Sequence, residues 1–352
     1  MMKSDATPAA YSNALRFMPE IESAFEAYSA SLPLDLAGAS PQDIDSWRKH
    51  NRFSRITFAR LAETLMSAEK LDDFVKKSSA DFDNLGPVLD VAMRLKLISI
   101  DSNGRIERIL QAVENSAPRR ESRQVLIEPL SEYNQFPCDA ASRSRRVELI
   151  KERYPNVERL RIGFIGDDDL VSAELSKEKW AHVVVVEKDP RIVEMLKGVE
   201  RAPHVIESDV RDVHDELTSI DTFMTDPPYT LHGAASFITA GLKLLPKNQE
   251  EKEFYVILNP TMMGRHFDTL NRMLCASGVF LREVRANFSH YELPENFAEK
   301  DRSASLLRQH SIDPQALKYS SSSSLHIFST VEPDVPKLES SIDSSLIYNH
   351  YV

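Results

Sequence analysis

The regular alternation of strand-length apolar runs with helical segments after residue 160 constrains the fold of this chain more than any other feature. Five of these runs are rich in branched or aromatic residues: RIGFI, HVVVVE, HVIESD, DTFMTD and EFYVIL. Helical patterns such as DPRIVEMLKGV and GAASFITAGLKLL separate them. Parallel strands need crossovers of this kind, and the helices cover both faces of the sheet. The pattern therefore predicts an α/β fold with a Rossmann-like, parallel-rich sheet, to which VFLREVRANF and LHIFST add the last strands.

The residues before this region show a different, mainly helical pattern. From Ile44 to about Ser79 the apolar residues recur at helical spacing, and a third helical segment, NLGPVLDVAMRLKLISI, leads into two β-prone runs joined by Ser102-Asn103-Gly104. Three helices followed by a hairpin predict a small winged-helix-like α+β domain. Its third helix carries only Arg94 and Lys96 against three aspartates, so we expect it to serve dimerisation or to cover an active site rather than to bind DNA.

The chain is long enough for two domains, and its 42% content of hydrophobic residues supplies a core for at least one of them. We predict an N-terminal helical or flexible segment at 1–43, the winged-helix-like domain at 44–123, a Rossmann-like catalytic domain at 124–331 and a flexible tail at 332–352. The composition of the serine run from Ser320 to Ser324 predicts that it is also flexible. Residues 300–324 have no assigned element and are expected to form a lid.

Charge and cysteine content argue against several classes of function. The formal net charge is −11, which repels the phosphates of nucleic acid and attracts cationic partners. The sequence shows neither a membrane-spanning apolar run nor a secretory leader, so we expect a cytoplasmic protein that does not bind a membrane. Cys138 and Cys275 are far apart and lack metal-ligand spacing, which predicts reduced thiols and no metal site.

Three consecutive aspartates follow the first strand of the predicted sheet, where a dinucleotide-binding protein would have a glycine-rich turn. Because ligands bind at the carboxyl ends of parallel strands, Gly166, Asp167, Asp168 and Asp169 are expected at the site. Three carboxylates repel a pyrophosphate, which argues against NAD or ATP, but they attract a sulfonium or an ammonium ion. A helix start needs only one aspartate as its cap, so three indicate function.

The ends of the second and third strands supply further acidic residues. Glu187 lies about twenty residues after the acidic turn, the spacing at which a carboxylate accepts the ribose hydroxyls of a nucleotide. Asp189 precedes Pro190 and is expected to cap a helix. Ser208 and Asp209 follow the third strand, within reach of an adenine amino group. These positions predict a nucleoside-binding site at the same edge of the sheet.

The fourth strand ends in Asp226-Pro227-Pro228-Tyr229, the most specific short motif of the chain. The two prolines keep the backbone extended and remove two N–H donors, so carbonyl oxygens and the Asp226 carboxylate remain as acceptors for an amine. Tyr229 is expected to form a wall beside that amine. This arrangement aims a nitrogen lone pair at a carbon attached to sulfur, and it predicts catalysis by positioning.

The Asp-Pro-Pro-Tyr turn resembles the amine-handling motif of amino methyltransferases that act on adenine or glutamine. Together with the GDDDL turn, EYNQ at Glu132 to Gln135 and NFSHYE at Asn287 to Glu292, it resembles the branched-chain polyamine synthases. These enzymes transfer an aminopropyl group from decarboxylated S-adenosylmethionine to a secondary amine of spermidine. The resemblance spans most of residues 50–330, and it implies a winged-helix-like domain before a Rossmann-like domain of the class I methyltransferase type, and a homodimer.

The resemblance also implies roles for individual residues. The three aspartates would face the cationic sulfur and the amine, with one of them as proton acceptor; we place Asp168 first and expect Asp169 to cap the helix. The implied catalytic set comprises Asp167, Asp168, Asp169 and Asp226. The expected donor site comprises Gly166, Glu187, Asp209 and Pro227. The expected acceptor site, where aromatic faces suit ammonium groups, comprises Tyr133, Gln135, Pro228, Tyr229, Phe288 and Tyr291.

Two other functions would use the same features. An S-adenosylmethionine-dependent N-methyltransferase would use the same positions, but the three aspartates would then face the carboxylate of its donor. A polyamine-sensing regulator would place the winged helix on DNA, but the third helix lacks a basic surface. Tyr229 stands where linear spermidine synthases are expected to carry a second acidic residue, which leaves the acceptor amine open.

Overall fold

The structure is a computed structural model that describes most of the chain between residues 55 and 332. The described residues are 25, 27–28, 55–78, 82–108, 129–130, 133, 135–136, 138–154, 160–177, 182–214, 218–247, 250–292, 298–317, 319–332 and 346–347. Most of the predicted segment 1–43, the polar connection before residue 124 and most of the predicted tail lie outside these residues. Of the EYNQ motif, Tyr133 and Gln135 are described.

Three helices and a two-stranded hairpin follow one another in the first described region, in the order that the sequence predicts. They are α1 (Arg55–Ser67), α2 (Leu71–Ser78), α3 (Phe82–Arg94), β1 (Ile98–Ile100) and β2 (Ile106–Arg108). Their apolar faces share one core, which includes Phe58 and Phe74. The Asp101 carboxylate accepts hydrogen bonds from Asn103 N and Arg105 N and closes the hairpin turn. The assignment of this region as a winged-helix-like domain stays a prediction.

A seven-stranded sheet with helices on both faces forms the second region. Its strands are β3 (Arg161–Ile165), β4 (His182–Glu187), β5 (His204–Glu207), β6 (Thr222–Thr225), β7 (Lys252–Leu258), β8 (Val279–Glu292) and β9 (Tyr319–Thr330). Its helices are α4 (Ala140–Arg153), α5 (Val171–Ser176), α6 (Pro190–Lys197), α7 (Leu231–Leu244), α8 (Pro260–Met263) and α9 (Arg265–Ala276).

The strand order of this sheet is β5-β4-β3-β6-β7-β9-β8. The first five strands are parallel, whereas β9 pairs antiparallel with both β7 and β8. The predicted α/β fold with a Rossmann-like, parallel-rich sheet is therefore confirmed. VFLREVRANF and LHIFST supply its last strands, as the sequence predicts.

The central strands are buried on both faces, which explains why their sequences are continuous apolar runs rather than alternating ones. On one face Phe223, Phe254 and Phe328 stack in a row, with ring centroids 4.5 and 5.6 Å apart. On the other face Phe164 and Tyr255 pack with side chains of α4. Within the described ranges, no helix is both long enough and apolar enough to cross a lipid bilayer.

The chain reverses its direction of winding at β3. Strands β4 and β5 follow on one side of β3, whereas β6 and β7 lie on the other, so the loops after β3 and β6 separate and leave a crevice at the carboxyl edge. Ile165 lies in register with Val186 and with Thr225. The residue that follows each of these three therefore lies at one edge of the sheet: Gly166, Glu187 and Asp226.

The serine run, predicted to be flexible, is instead part of the buried strand β9. Residues 321–324 are buried, and β9 lies between β7 and β8. The Ser322 hydroxyl donates a hydrogen bond to the Lys76 carbonyl at the end of α2, at 2.8 Å. This bond satisfies the Ser322 hydroxyl, and the small serine side chains let α2 approach the sheet. The prediction was wrong because local composition does not show which elements will pack on either side.

Residues 300–324, expected to form a lid, instead complete the core of the first region before the chain enters β9. Helix α10 (Ala298–Gln309) and a 3₁₀ turn at Pro314–Ala316 bring Leu307 and Ile312 into one apolar cluster with α1, α2 and α3. The first region is therefore built from two separate stretches of sequence, and the expected boundary at residue 123 does not mark its whole extent.

The tail, predicted to be flexible, packs against the second region at its two described residues. Ile347 is buried in the core beside α7, and Thr230 Oγ donates a hydrogen bond to its carbonyl oxygen at 2.8 Å. A Cβ atom added to Gly233 would lie 2.6 Å from the same carbonyl oxygen. Residues 346–347 are thus held close to the start of α7 and to the Asp-Pro-Pro-Tyr turn.

Candidate active site

The Asp167 carboxylate caps helix α5. It accepts hydrogen bonds from Val171 N at 2.9 Å, from Ser172 N at 3.1 Å and from the Ser172 hydroxyl. Leu170 has a left-handed backbone with φ 54°, which turns the chain so that Asp167 lies over the first turn of the helix. Burial outweighs these donors and raises the pKa of Asp167 to about 8. The expectation that Asp169 caps this helix is therefore wrong.

Arg146 of α4 is a buried cation between Asp169 and Asp226. Its Nη1 donates to Asp169 Oδ2 at 2.7 Å, and its Nη2 donates to Asp226 Oδ2 at 2.6 Å. Ser289 Oγ accepts from Nε at 3.2 Å and from Nη2 at 3.0 Å. Burial opposes the positive charge of Arg146, but the neighbouring carboxylates of Asp169 and Asp226 outweigh it, and its pKa is raised well above the usual value. The guanidinium thus joins the loop after β3 to the loop after β6.

Hydroxyl groups surround the Asp226 carboxylate at the end of β6. Tyr291 Oη donates to Asp226 Oδ2 at 2.6 Å, and Tyr229 Oη donates to Oδ1 at 3.1 Å. The Tyr229 hydroxyl also lies 2.9 Å from Tyr291 Oη and 2.6 Å from Ser323 Oγ. Burial raises the pKa of Asp226. The structure therefore brings together Asp226, Tyr229 and Tyr291, three of the residues that the sequence assigns to the reaction.

Asp168 differs from its two neighbours because its carboxylate has no hydrogen-bond donor within the described part of the chain. The side chain is half-buried. Burial first, and then the negative charges of Asp169, Asp226 and Glu187, raise the pKa of Asp168 well above its usual value, and Arg146 opposes them. A carboxylate with a raised pKa and no fixed donor is the member of this cluster best suited to accept a proton.

The Glu187 carboxylate fixes the backbone of two loops at the end of β4. Its Oε2 accepts from Asp167 N at 3.0 Å, and its Oε1 accepts from Lys188 N at 2.7 Å and from Asp189 N at 2.8 Å. Burial raises the pKa of Glu187. Because an ionised carboxylate offers about four lone-pair positions, Glu187 retains one for the ribose contact that the sequence predicts.

Asp209, expected to contact adenine, is held by two cations. Lys188 Nζ and Arg211 Nη2 both approach its Oδ2, at 2.8 and 2.7 Å. Burial opposes ionisation, but Arg211 and Lys188 outweigh it and lower the pKa of Asp209. Ser208 lies in the same loop and donates its N–H to the Glu187 carbonyl at 3.0 Å. The Asp209 carboxylate is therefore charged and fixed at the end of β5, where these two cations compete with an adenine amino group for its oxygens.

The two described residues of the EYNQ motif lie beside the loop after β4. Gln135 Nε2 donates to Asp189 Oδ2 at 2.9 Å, and Gln135 Oε1 accepts from Leu130 N at 2.9 Å. Asp189 caps α6, as the sequence predicts. The Tyr133 ring centroid lies 6.0 Å from Lys188 Nζ, on the same side of the site. The expectation that Gln135 lines an acceptor channel is therefore corrected, because its buried amide holds the segment before α4 against α6.

A bulge in β8 directs the NFSHYE motif towards the site. Asn287 has a left-handed backbone with φ 54°, and the register with β9 shifts between Arg285 and Ser289. Beyond this bulge Ser289 contacts Arg146, and Tyr291 contacts Asp226. Phe288 is instead buried in the apolar core around α4, so its expected place in an acceptor channel is corrected to the core.

Glycine and proline set the backbone at the two ends of the crevice. Gly166 has φ 69°, and a Cβ atom added there would lie 2.7 Å from Phe237 Cε1 of α7. Pro227 and Pro228 are both buried, and a Cβ atom at Gly233 would lie 2.9 Å from Pro228 Cβ. The chain is therefore tightly packed where it leaves β3 and β6.

Three residues of the site were not predicted from the sequence: Arg146, Ser289 and Ser323. Arg146 does carry a signal, because it lies next to Val147 and one turn before Ile150 on the buried side of a helix. A charged residue on the apolar side of a helix requires a buried partner. Ser289 and Ser323 give no such signal, since serine is common at surfaces and in loops.

The sheet order and the acidic residues at the ends of β3, β4 and β6 define a Rossmann-like protein of the class I methyltransferase type. Residues 122–349 match the family described as the branched-chain polyamine synthase A C-terminal domain. This match covers more than half of the chain, so the protein belongs to that family. The resemblance that the sequence motifs indicate is thereby confirmed.

Two curated relatives share a low sequence identity with this chain. The N(4)-bis(aminopropyl)spermidine synthase of Methanocaldococcus jannaschii is 26% identical over 171 residues, which are 46% of this chain and 49% of that protein. The synthase of the same name from Thermococcus kodakarensis is 24% identical over 173 residues, which are 47% of this chain and 49% of that protein. The chain thus spans about half the length of these curated relatives.

The fold is shared with the branched-chain polyamine synthase from Thermus thermophilus, whose crystal structure is a complex with N4-aminopropylspermidine and 5′-methylthioadenosine. The two chains are 20% identical, with a TM-score of 0.64. The match covers 85% of this chain and 94% of the Thermus chain, so it includes most of both regions.

Proposed function

We propose that the protein is an aminopropyltransferase that transfers an aminopropyl group from decarboxylated S-adenosylmethionine to a secondary amine of spermidine or a related polyamine. The observation that carries this proposal is the group of carboxylates at one edge of the sheet, Asp167 to Asp169 with Glu187 and Asp226, around the buried Arg146. A bound cation favours the ionised form of the carboxyl groups beside it, so this site favours a donor without a carboxylate and an acceptor with several ammonium groups. Family membership supports the same reaction.

In the proposed reaction the secondary amine attacks the aminopropyl carbon that is bonded to sulfur. A nitrogen–carbon bond forms while the carbon–sulfur bond breaks, and the electron pair of the broken bond returns to the sulfonium sulfur. Methylthioadenosine leaves as a neutral thioether, and the proton of the amine passes to a carboxylate. The reaction needs no covalent enzyme intermediate, so the protein acts by positioning and by electrostatic stabilisation.

Asp168 is the proposed proton acceptor. An aliphatic amine has a pKa of about 10 in water, so it must lose a proton before its lone pair can attack. The raised pKa of Asp168 makes it a stronger base than an ordinary aspartate, and no donor among the described residues occupies its oxygens. Asp226 is the proposed anchor for the amine, with Pro228, Tyr229 and Tyr291 as the surrounding wall.

The donor is proposed to lie across the ends of β3, β4 and β5. Glu187 would accept the ribose hydroxyls, Asp209 would contact the adenine, and the backbone at Gly166 and Pro227 would approach the sulfonium. Carboxylates near the cationic sulfur stabilise the donor before transfer, and this attraction weakens when the sulfur becomes neutral, which favours release of methylthioadenosine. Tyr133, close to Lys188 beside the same loop, is the proposed cover of the donor rather than of the amine.

The position of the new group distinguishes this proposal from linear polyamine synthesis. N4-aminopropylspermidine, which is bound in the Thermus structure, carries its extra group on an internal nitrogen. A secondary amine has an alkyl arm on each side, so an acceptor site of this kind must admit two arms. Tyr229 in place of a second acidic residue removes one anchor for a terminal ammonium group, and we infer that it disfavours binding of the acceptor by its end.

The test incubates the full chain with decarboxylated S-adenosylmethionine and spermidine and follows methylthioadenosine and polyamines by mass spectrometry. We expect equal amounts of methylthioadenosine and of a product whose fragmentation places the new group on the internal nitrogen. Asp168→Asn should slow the reaction by about 100-fold or more, whereas Glu200→Gln, at an exposed acidic residue outside the site, should not. A solely linear product, or methyl transfer from S-adenosylmethionine, would contradict the proposal.

A further inference from the structure

Arg146 is a fully buried cation whose partners come from three different segments of the fold. Burying a guanidinium is costly unless its charge and its N–H groups all find partners. Asp169 after β3 and Asp226 after β6 supply the charge, at 2.7 and 2.6 Å. Ser289 Oγ and Tyr291 Oη on β8 accept the remaining contacts, at 3.0 and 3.3 Å from Nη2. Helix packing alone does not require a side chain with these properties.

The carboxylates of the site differ in which hydrogen-bond donors they contact. The N–H groups of α5 bind Asp167, and three loop N–H groups bind Glu187. Arg146 binds both Asp169 and Asp226. Within the described residues, Asp168 alone among these carboxylates is left without a hydrogen-bond donor.

We propose that Arg146 is a positioning residue for the transfer: by holding Asp169 and Asp226, it leaves Asp168 as the carboxylate that takes the proton of the amine. This inference rests on the proposed function and adds a residue role to it. The planar guanidinium places one N–H group on each of two acids from different loops. A lysine ammonium is a point charge and does not reproduce this fork.

The charge of Arg146 also sets the pH at which Asp168 becomes a base. The charges that act on Asp168 are those of Asp169, Asp226 and Glu187, which are negative, and that of Arg146, which is positive. A positive charge favours the ionised carboxylate, so loss of this charge raises the pKa of Asp168 further. The acidic limb of the pH–rate profile is then expected to move to higher pH, by about one unit.

The other titratable groups around Arg146 do not change their charge in this range. Burial raises the pKa of the Cys138 thiol and of the Tyr229 and Tyr291 hydroxyls well above their usual values, so all three stay protonated. Arg146 itself keeps its charge because its pKa is raised by the surrounding acids despite burial. If the acidic limb of the pH–rate profile shifts in an Arg146 variant, the shift therefore reflects a change in the protonation of the site carboxylates.

The test compares Arg146→Gln and Arg146→Lys with Arg201→Gln, a control at an exposed arginine of the same region. One readout is the pH dependence of kcat/KM for release of methylthioadenosine. The other is NMR titration of the protein labelled with ¹³C at the aspartate carboxyl groups, with the Asp168 signal assigned through Asp168→Asn. The titration needs no turnover, so it separates a failure of this inference from a failure of the proposed function.

Arg146→Gln is expected to raise the midpoint pH of the acidic limb of the kcat/KM profile and the midpoint pH of the Asp168 titration, each by about one unit. Arg146→Lys should keep the midpoint near that of the wild type but lower kcat about tenfold, because one ammonium cannot hold both acids. Arg201→Gln should change neither. A folded Arg146→Gln protein with an unchanged midpoint would overturn the inference. If that variant does not fold, wild-type kcat in Arg146→Lys would overturn it instead.

Discussion

The three consecutive aspartates at the carboxyl edge of the sheet, Asp167 to Asp169, make different contacts because their neighbours differ. The Asp167 carboxylate accepts hydrogen bonds from the N–H groups of α5, and Asp169 forms an ion pair with Arg146. The Asp168 carboxylate accepts no hydrogen bond from any of the described residues. The left-handed turn at Leu170 brings the start of α5 over Asp167. The proton affinities of Asp167 and Asp168 are therefore set by burial, charge and hydrogen bonds rather than by residue type.

Tyr291→Phe is expected to weaken binding of the acceptor by about tenfold. Burial raises the pKa of Asp226, and the Tyr291 hydroxyl opposes this by donating to the carboxylate at 2.6 Å. Without this donor, less of Asp226 is ionised at a given pH, so the carboxylate attracts an ammonium group less strongly. The KM of the acceptor should rise, most at the lower end of the pH range, while the KM of the donor should stay within about twofold.

Tyr255→Phe is the matched control for this prediction. Tyr255 is also buried, and its hydroxyl donates to Glu253 Oε1 at 2.6 Å, away from the carboxyl edge. Its loss should lower the free energy of unfolding by about 1 kcal/mol and leave both KM values unchanged. Equal acceptor KM values in the two variants would show that Tyr291 serves the core and not the site.

Among the elements, those with a local signal are the ones that sequence alone predicts. The runs RIGFI and HVVVVE are continuous and apolar. The helical segments between such runs are long enough to be crossovers, and they therefore predict that the strands are parallel. Only the first half of β9 fails this criterion, because it is serine, whose burial depends on α2 and β8 rather than on its own composition. Helix α10 was not predicted either, since its apolar residues belong to the core of a region distant in sequence.

In the candidate site, too, the residues with a local sequence signal are the ones that could be predicted. Asp226 and Glu187 could be placed because each lies at the end of a predicted strand, and parallel strands end at one edge. The positions of Gln135 and Phe288 could not be predicted, because a motif does not show whether its side chains face a cavity or the core. Arg146 lies on a helix before the sheet, and its contacts span up to 145 residues of sequence separation.

Gly233→Ala at the start of α7 is expected to destabilise the protein although alanine favours helices. A Cβ atom there would lie 2.6 Å from the Ile347 carbonyl oxygen, 2.7 Å from Thr230 Oγ and 2.9 Å from Pro228 Cβ. These atoms belong to backbone, proline and a capping side chain, so they cannot move freely. We expect a loss of about 1–3 kcal/mol in the free energy of unfolding by urea, with a raised KM for the acceptor because Pro228 moves.

Gly198→Ala provides the control for this effect. Gly198 ends α6, and a Cβ atom there would lie 3.4 Å from the Met195 carbonyl oxygen, which is ordinary contact. This substitution should stabilise the protein by up to about 1 kcal/mol, because alanine restricts the unfolded chain. Equal changes in the free energy of unfolding of the two variants would mean that the close contacts at Gly233 do not affect stability.

For the whole molecule, the acidic site gives stability an unusual dependence on pH. Burial raises the pKa of Asp167 from 3.8 to about 8, and it raises the pKa of Asp168, Asp226 and Glu187 in the same direction. The folded state then keeps protons that the unfolded state has lost. The stabilisation from each such group is complete below its unfolded pKa and is lost as the pH rises towards the folded pKa.

Between pH 6.5 and pH 8 the acidic cluster is expected to dominate this dependence. Burial lowers the pKa of His290 and His326 from 6.5 to about 4, so both are mainly neutral in the folded and unfolded states above pH 6.5. The free energy of unfolding by urea should therefore fall by about 1–2 kcal/mol across this window. Asp168→Asn should flatten the slope, since it removes one titrating group without losing a described hydrogen bond, whereas Glu200→Gln should leave it unchanged. A stability that stays level or increases towards pH 8 would mean that the carboxylates are ionised in the folded protein throughout this range.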